Sequence, residues 1–241
     1  MRMSTIPILM YHNIGKPPEG ARLRNLYVRA TAFARQMLLL RLLGYRGLSM
    51  ADAMPYLRGE KKGRVVAITF DDGYVDTLEL ALPILQKYGF TATCYFVSQR
   101  LGRHNEWDAS QLQVRKPLMD ESQLRAWQRA GMEVGAHSRT HPRLTECTDM
   151  QLDDEIAGSK RDLEALLGAP VTQFCYPYGD LDERVVAATR RAGYDAATTV
   201  QRGRARAGED ALLLRRVLVS GSTMPHLFLL KLFSRYEDKR G

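Results

Sequence analysis

Two adjacent carboxylates, Asp71 and Asp72, and two imidazoles four positions apart, His137 and His141, can do chemistry together. Two His and one carboxylate can hold a divalent ion with a position left for water, and a spare carboxylate can take a proton from that water. Each cluster also has a plainer meaning. Asp72-Gly73 is a common turn signal, and two His in a loop can be ordinary surface residues. An i,i+4 pair shares one face of a helical turn, but Pro142 works against helix at His141, so that turn is expected to be short or irregular. The chain has only five His, and two of them at ligand spacing beside an acidic pair point to metal-assisted hydrolysis.

Such groups need a scaffold that brings them to one end. The hydrophobic pattern alternates strand and helix. Residues 6–11 read as a first strand, and Thr31 as the cap of a helix to about 43, with Phe33, Met37, Leu40 and Leu43 at helical spacing. Ser49 caps a second short helix, and residues 64–70 form a β-branched strand ending at the Asp pair. Residues 77–88 read as a helix stopped by Gly89 and kinked by Pro83. A strand at 92–97 leads into a long polar loop, 98–117. A capped helix at 120–130, a strand at 132–136 and a helix at 149–167 follow. Next come a strand at 172–176, a helix at 182–192, late strands at 196–200 and 216–219, and a terminal helix at 223–233. Repeated strand–helix units predict a parallel sheet with helices outside, and 241 residues suit a barrel. No repeat or linker divides residues 1–241, so one domain is expected. The polar candidates follow three strand ends, at Asp71 and Asp72, at His137 and at Tyr178, which is where β/α barrels gather their sites.

Composition narrows the rest. Hydrophobic residues make up 45% and charged residues 26%, as in ordinary globular proteins. No apolar run reaches the ~18 residues of a membrane span, and residues 6–11 lack the form of a secretory signal. Cys94, Cys147 and Cys175 are an odd, widely spaced set that reads as free thiols in a reducing compartment. The expected location is the cytoplasm, with the inner membrane surface as an extension of it. The net charge of +8 permits a nucleic-acid partner, but the cations are scattered and not interleaved with aromatics, so no nucleic acid is expected. Arg202, Arg204 and Arg206 form the densest basic patch, read as a solvated loop or as an anion-attracting one. The C-terminal Lys231, Arg235, Lys239 and Arg240 beside Leu227 to Leu230 read as a docked helix with a polar tail, or as a peripheral contact with an anionic membrane.

Thr69-Phe70-Asp71-Asp72-Gly73 and His137-Ser138-Arg139-Thr140-His141 resemble the first and second motifs of the polysaccharide deacetylases, carbohydrate esterase family four with its NodB-homology domain. Phe174-Cys175-Tyr176-Pro177-Tyr178-Gly179 resembles the third motif. Pro7-Ile8-Leu9-Met10-Tyr11-His12 resembles the opening of the subgroup with the poly-N-acetylglucosamine deacetylases. The likeness runs from about residue 6 to 230.

That resemblance implies a distorted (β/α)7 barrel and a metal-dependent hydrolase that removes N-acetyl groups from an N-acetylhexosamine glycan, or from a lipid- or nucleotide-linked precursor. It implies Asp71 as general base and Asp72, His137 and His141 as ligands of one divalent metal, zinc first, with cobalt or nickel as alternatives. It also implies that the backbone N–H of Tyr178 faces the oxyanion. Two departures stand out. Cys175 occupies the place where many members carry an arginine that steadies the base, and Arg216 is the candidate substitute. The late Leu-x-His that supplies the acid is missing. His12 is the candidate acid, with a core histidine tied to a backbone carbonyl as the alternative, and His226 reads as a helix-start residue. Tyr74, Trp107 and Tyr178 are candidates to stack on sugar rings. An O-acetyl esterase and a non-catalytic glycan-binding barrel stand as alternatives.

Overall fold

The computed structural model describes residues 5–240, apart from the side chain at position 112. Eight strands share one parallel sheet: β1 (Ile8–Tyr11), β2 (Arg46–Leu48), β3 (Val65–Phe70), β4 (Thr93–Phe96), β5 (Glu133–Ala136), β6 (Gln173–Cys175), β7 (Ala196–Arg202) and β8 (Leu214–Leu218). All except β2 close into a seven-stranded barrel, with β8 pairing β1 and β1 pairing β3. β2 lies beside the first half of β3, where Arg46 meets Val65. The barrel is uneven: β5 and β6 share the single pair Ala136–Phe174, and the register of β7 shifts between Thr198 and Arg202. The distorted seven-stranded barrel is thus the expected one.

Strand parity explains how the site is placed. Successive side chains alternate faces, so Val66, Ile68 and Phe70 of β3 join the outer core under the helices, while Val65 and Ala67 join a second, inner core. Thr69 and then Asp71 continue the inner row. On β5, the row that runs through Gly135 arrives at His137. A Cβ at Gly135 would sit 2.4 Å from the Tyr95 ring, so the glycine makes room for that interior tyrosine.

The longer helices are α1 (Ala30–Leu42), α2 (Met50–Leu57), α3 (Leu82–Tyr88), α4 (Glu121–Arg129), α5 (Asp149–Leu167), α6 (Glu183–Arg191) and α7 (Pro225–Phe233). α1 buries Phe33, Gln36, Met37 and Leu40, each large apolar side chain contributing roughly 1.5–3 kcal/mol. Capping boxes start α4 at Asp120 and α5 at Thr148, and Ser49 caps α2. Among the described residues no helix is long and apolar enough to cross a membrane.

Several expected boundaries move. Pro7 splits the predicted first strand: Thr5–Ile6 pairs antiparallel with Ala205–Arg206, and only Ile8–Tyr11 enters the barrel. Thr31 does not cap α1, which is entered from Arg29 without a side-chain cap. Pro83 interrupts the regular ladder of its predicted helix, as expected. The residues before it, Thr77–Ala81, form a π-turn, and the α-helix proper, α3, starts at Leu82 with Pro83 in its first turn. The terminal helix starts at Pro225, and Thr223 instead accepts a hydrogen bond from the Ser220 amide.

Part of each basic patch is spent inside the molecule, while Arg235, Lys239 and Arg240 are exposed. Arg202 binds Glu237 through two bonds, Arg204 binds Asp238, and the buried Lys231 donates to Glu237 and to the Leu218 carbonyl. These residues fasten the C-terminal tail to the barrel, so Arg202 and Arg204 are not solvated loop charges and Lys231 does not point outward, while Arg206 stays partly exposed.

Candidate functional site

Asp71 is 2% exposed and its carboxylate receives both ends of the Arg216 guanidinium, at 2.7 and 2.8 Å. Arg216 lies wholly inside the barrel on β8. It also donates to the Thr199 carbonyl at 2.8 Å, to Thr69 Oγ1 at 3.2 Å and to Cys175 Sγ at 3.3 Å. Each N–H of this buried cation that these bonds engage has a partner, as a desolvated charge requires. Burial by itself raises the Asp71 carboxyl. The Arg216 charge outweighs it, with help from His12, and holds the group below the usual carboxylate range. His12 directly follows β1 with Nε2 3.7 Å from Asp71 Oδ2, so it faces the carboxylate.

Asp72 turns away from Asp71 because its backbone is left-handed, with φ 74°. Its Oδ1 lies 3.5 Å from His137 Nε2 and 3.6 Å from His141 Nε2. The three side chains are buried, and one donor atom from each lies within 4.8 Å of the others. These separations are too long for good hydrogen bonds. They match the spacing of about 3.3–3.6 Å between ligand atoms held at about 2.0–2.2 Å around a tetrahedral centre. His137 Nδ1 lies 2.7 Å from the Cys175 carbonyl, so Nδ1 donates to it and Nε2 is the nitrogen turned toward Asp72. Burial, followed by the charge of His137, pushes His141 down to about 3, so its ring is neutral. The donor set therefore fits a metal, and the triad could hold one ion.

The irregular turn expected at Pro142 is present. Ser138 and His141 are left-handed, at φ 63° and 66°, and the His141 amide donates to Ser138 Oγ at 2.9 Å. Glu155 of α5 anchors this turn. It accepts from the Arg139 and Thr140 amides and from the Thr140 hydroxyl at 2.6–2.9 Å. Arg139 in turn reaches Asp162 at 2.7 Å. A Cβ on Gly158 would lie 2.5 Å from Arg139 Nε, so that glycine makes the packing possible.

A cavity of about 180 Å³ opens onto these groups. Its lining includes His12, Asp71, Asp72, Trp107, Asp108 and Tyr178. Trp107 stacks on the His141 ring at 4.5 Å and 17°, and Tyr178 meets that ring edge-on at 4.5 Å. Tyr178 is also left-handed, at φ 58°. Its ring is 38% exposed, with the Arg143 guanidinium 4.9 Å from its centre. Tyr74 reaches the wall but is 1% exposed and lies under Lys116, so it offers no open face for stacking. His226 is exposed in the first turn of α7 and is not among the cavity residues. Sequence reasoning missed Thr69, Glu155, Asn105 and Asp108, whose roles depend on partners far along the chain or on loop geometry.

The loop expected at 98–117 is more structured than its composition suggested. It holds a 3₁₀ turn at Ser98–Arg100 and a one-turn helix at Ala109–Leu112. Backbone bonds from Met119 to Gly73 and from Val75 to Pro117 tie it to the segment after Asp72.

The polysaccharide deacetylase family model matches residues 58–197. YxkH of Bacillus subtilis (strain 168), itself assigned to the polysaccharide deacetylases, is 31% identical over 217 residues, 89% of this chain and 71% of its own. The acetate complex of the Streptococcus pyogenes deacetylase PplD superposes with a TM-score of 0.82 at 26% identity, covering 95% of this chain and 99% of that one. IcaB from Ammonifex degensii gives 0.80 at 23% identity, covering 95% and 97%, a likeness of fold.

Proposed function

Because the chain belongs to the polysaccharide deacetylase family, we propose that it hydrolyses the N-acetyl group of an N-acetylhexosamine within a glycan or a glycan precursor. One observation carries this reading: a metal-ligand triad stands beside a second, unligated carboxylate that an internal arginine holds charged. Several relatives by name act on N-acetylated glycans, among them the Staphylococcus aureus poly-β-1,6-N-acetyl-D-glucosamine N-deacetylase.

Asp72, His137 and His141 would hold one divalent ion, zinc by the match of two imidazoles and a carboxylate to its usual donors. Bound there, the ion supplies a Lewis acid that polarises the acetyl carbonyl and makes water more acidic. Asp71 takes the proton of the attacking water. Arg216 keeps Asp71 ionised and fixes both its oxygens, so the base needs no reorientation. The Tyr178 amide donates to the developing oxyanion. His12 sits across from Asp71 and gives a proton to the leaving nitrogen, which takes the place of the absent Leu-x-His. Acetate and the free amine are the products.

The test is acetate release by zinc-loaded protein from N-acetylglucosamine oligomers and, in parallel, from O-acetylated sugars. Release from the first at a higher kcat/KM supports an amidase, and the reverse order replaces it with the esterase reading. His137→Ala should reduce release to background and lose the metal, read by elemental analysis. A variant that keeps stoichiometric metal rejects the ligand assignment.

A further inference from the structure

Asp108 is a cavity-lining carboxylate that the chemistry above does not use, and we propose that it binds a hydroxyl of the sugar whose acetamide is cleaved. This inference rests on the deacetylase reading and adds a specificity-determining residue to it. Aspartate is among the best helix N-caps, and Asp108 stands at that position before Ala109–Leu112. Yet its side chain makes no capping bond. The carboxylate is held toward the cavity by Asn105, whose Nδ2 donates to Asp108 Oδ1 at 2.7 Å.

Asn105 is built for that task. It is fully buried, its Oδ1 accepts from the Lys116 amide at 2.7 Å, and its Nδ2 also reaches the Val114 carbonyl at 3.3 Å. Its own carbonyl accepts from the Ala109 amide at 2.9 Å. The asparagine thus fixes both ends of the turn and the direction of one carboxylate oxygen. The other oxygen is left to accept. Trp107, the preceding residue, presents an aromatic plane stacked on His141, and sugars bind where an aromatic face adjoins aimed hydrogen-bond groups. Oδ1 of the buried Asn13, a second acceptor in the same cavity, also lacks a partner. A wall of acceptors suits a ligand rich in O–H donors.

Asp108 is a binding residue, and Asn105 is a positioning residue that acts through it. The experiment measures oligomer affinity by calorimetry on zinc-loaded wild type, Asp108→Ala, Asp108→Asn and Asn105→Ser, with acetate-release kinetics, metal content and melting temperature alongside. Asp108→Ala should weaken binding and raise KM about 10-fold, as for loss of one buried hydrogen bond, with kcat within about 3-fold and metal unchanged. Asp108→Asn keeps an acceptor oxygen and should fall between alanine and wild type. Asn105→Ser should reproduce the KM effect with little change in kcat. Unchanged affinity and KM in both Asp108 variants overturn the proposal, as does a fall in kcat at constant KM. A wild type that binds the oligomer without releasing acetate fails the deacetylase reading alone, because the affinity comparison still tests Asp108. A wild type that binds no oligomer overturns this inference too.

Discussion

Two arginine–carboxylate pairs in the molecule are both two-pronged, Arg216 through its two terminal nitrogens and Arg202 through Nε and Nη2, and they differ in surroundings. Arg216 grips Asp71 at 2.7 and 2.8 Å, and Arg202 grips Glu237 at 2.6 and 2.8 Å. Glu237 also receives Lys231 at 2.6 Å, and its side chain is fully enclosed. Asp71 instead looks out on His12 at 3.7 Å and on a cavity. The same planar fork therefore rivets a tail where the carboxylate is saturated, and poises a base where part of the carboxylate is left open. What distinguishes a structural ion pair from a reactive one is the remaining lone pairs, and the bond lengths do not reveal it.

Substitutions can break that contrast, and the largest effect is expected at the open pair. Asp71→Asn removes the base and should lower kcat by about 10²–10⁴-fold, with metal content and fold retained. Near-wild-type turnover would remove Asp71 from the chemistry. Arg216→Lys comes next. A lysine cannot reproduce the two-pronged grip, so kcat should fall by about 10–100-fold as the base loses its orientation. The melting temperature should also fall, because a buried carboxylate is left poorly paired. Turnover unaffected by this change would make Arg216 merely a space filler.

Glu237→Gln should sharpen the contrast from the closed side. It should cost about 2 kcal/mol of stability by leaving Arg202 and Lys231 without their counter-charge, and kcat of the folded enzyme should not change. Its pH dependence has a defined sign. Burial raises the Glu237 carboxyl, but the bonds and charges of Arg202 and Lys231 outweigh it and depress the group below its ordinary value. A depressed carboxyl adds stability above its unfolded pKa of about 4.3 and loses it as pH falls through the lower folded value. The gap in melting temperature between wild type and variant should be full at neutral pH and close in acid. A gap that widens in acid contradicts the assignment.

Much of this architecture was legible in the chain because strand parity and strand ends are local. Asp71 falls on the inward row of β3, and His137 on that of β5, and both could be placed from alternation alone. Arg216 was nameable only as a substitute for a missing arginine; that it reaches Asp71 across 145 positions is a tertiary fact. The left-handed backbones at Asp72, Ser138, His141 and Tyr178 were invisible, since none is glycine and packing imposes them. Residues 98–117 looked structureless because their order comes from Asn105 and from pairing with distant backbone, not from periodicity. The arginines at 202 and 204 looked like surface charge because their acidic partners lie more than thirty positions away.

The thiol of Cys175, 3.3 Å from the Arg216 guanidinium, has a consequence for redesign. A small side chain at 175 leaves the barrel axis vacant for an arginine arriving from β8. Cys175→Arg alone would crowd two cations against one carboxylate in a sealed interior, so the third-motif arginine of other family members cannot be grafted here singly. Positions 175 and 216 therefore have to be redesigned together, because their side chains share one enclosed space beside Asp71.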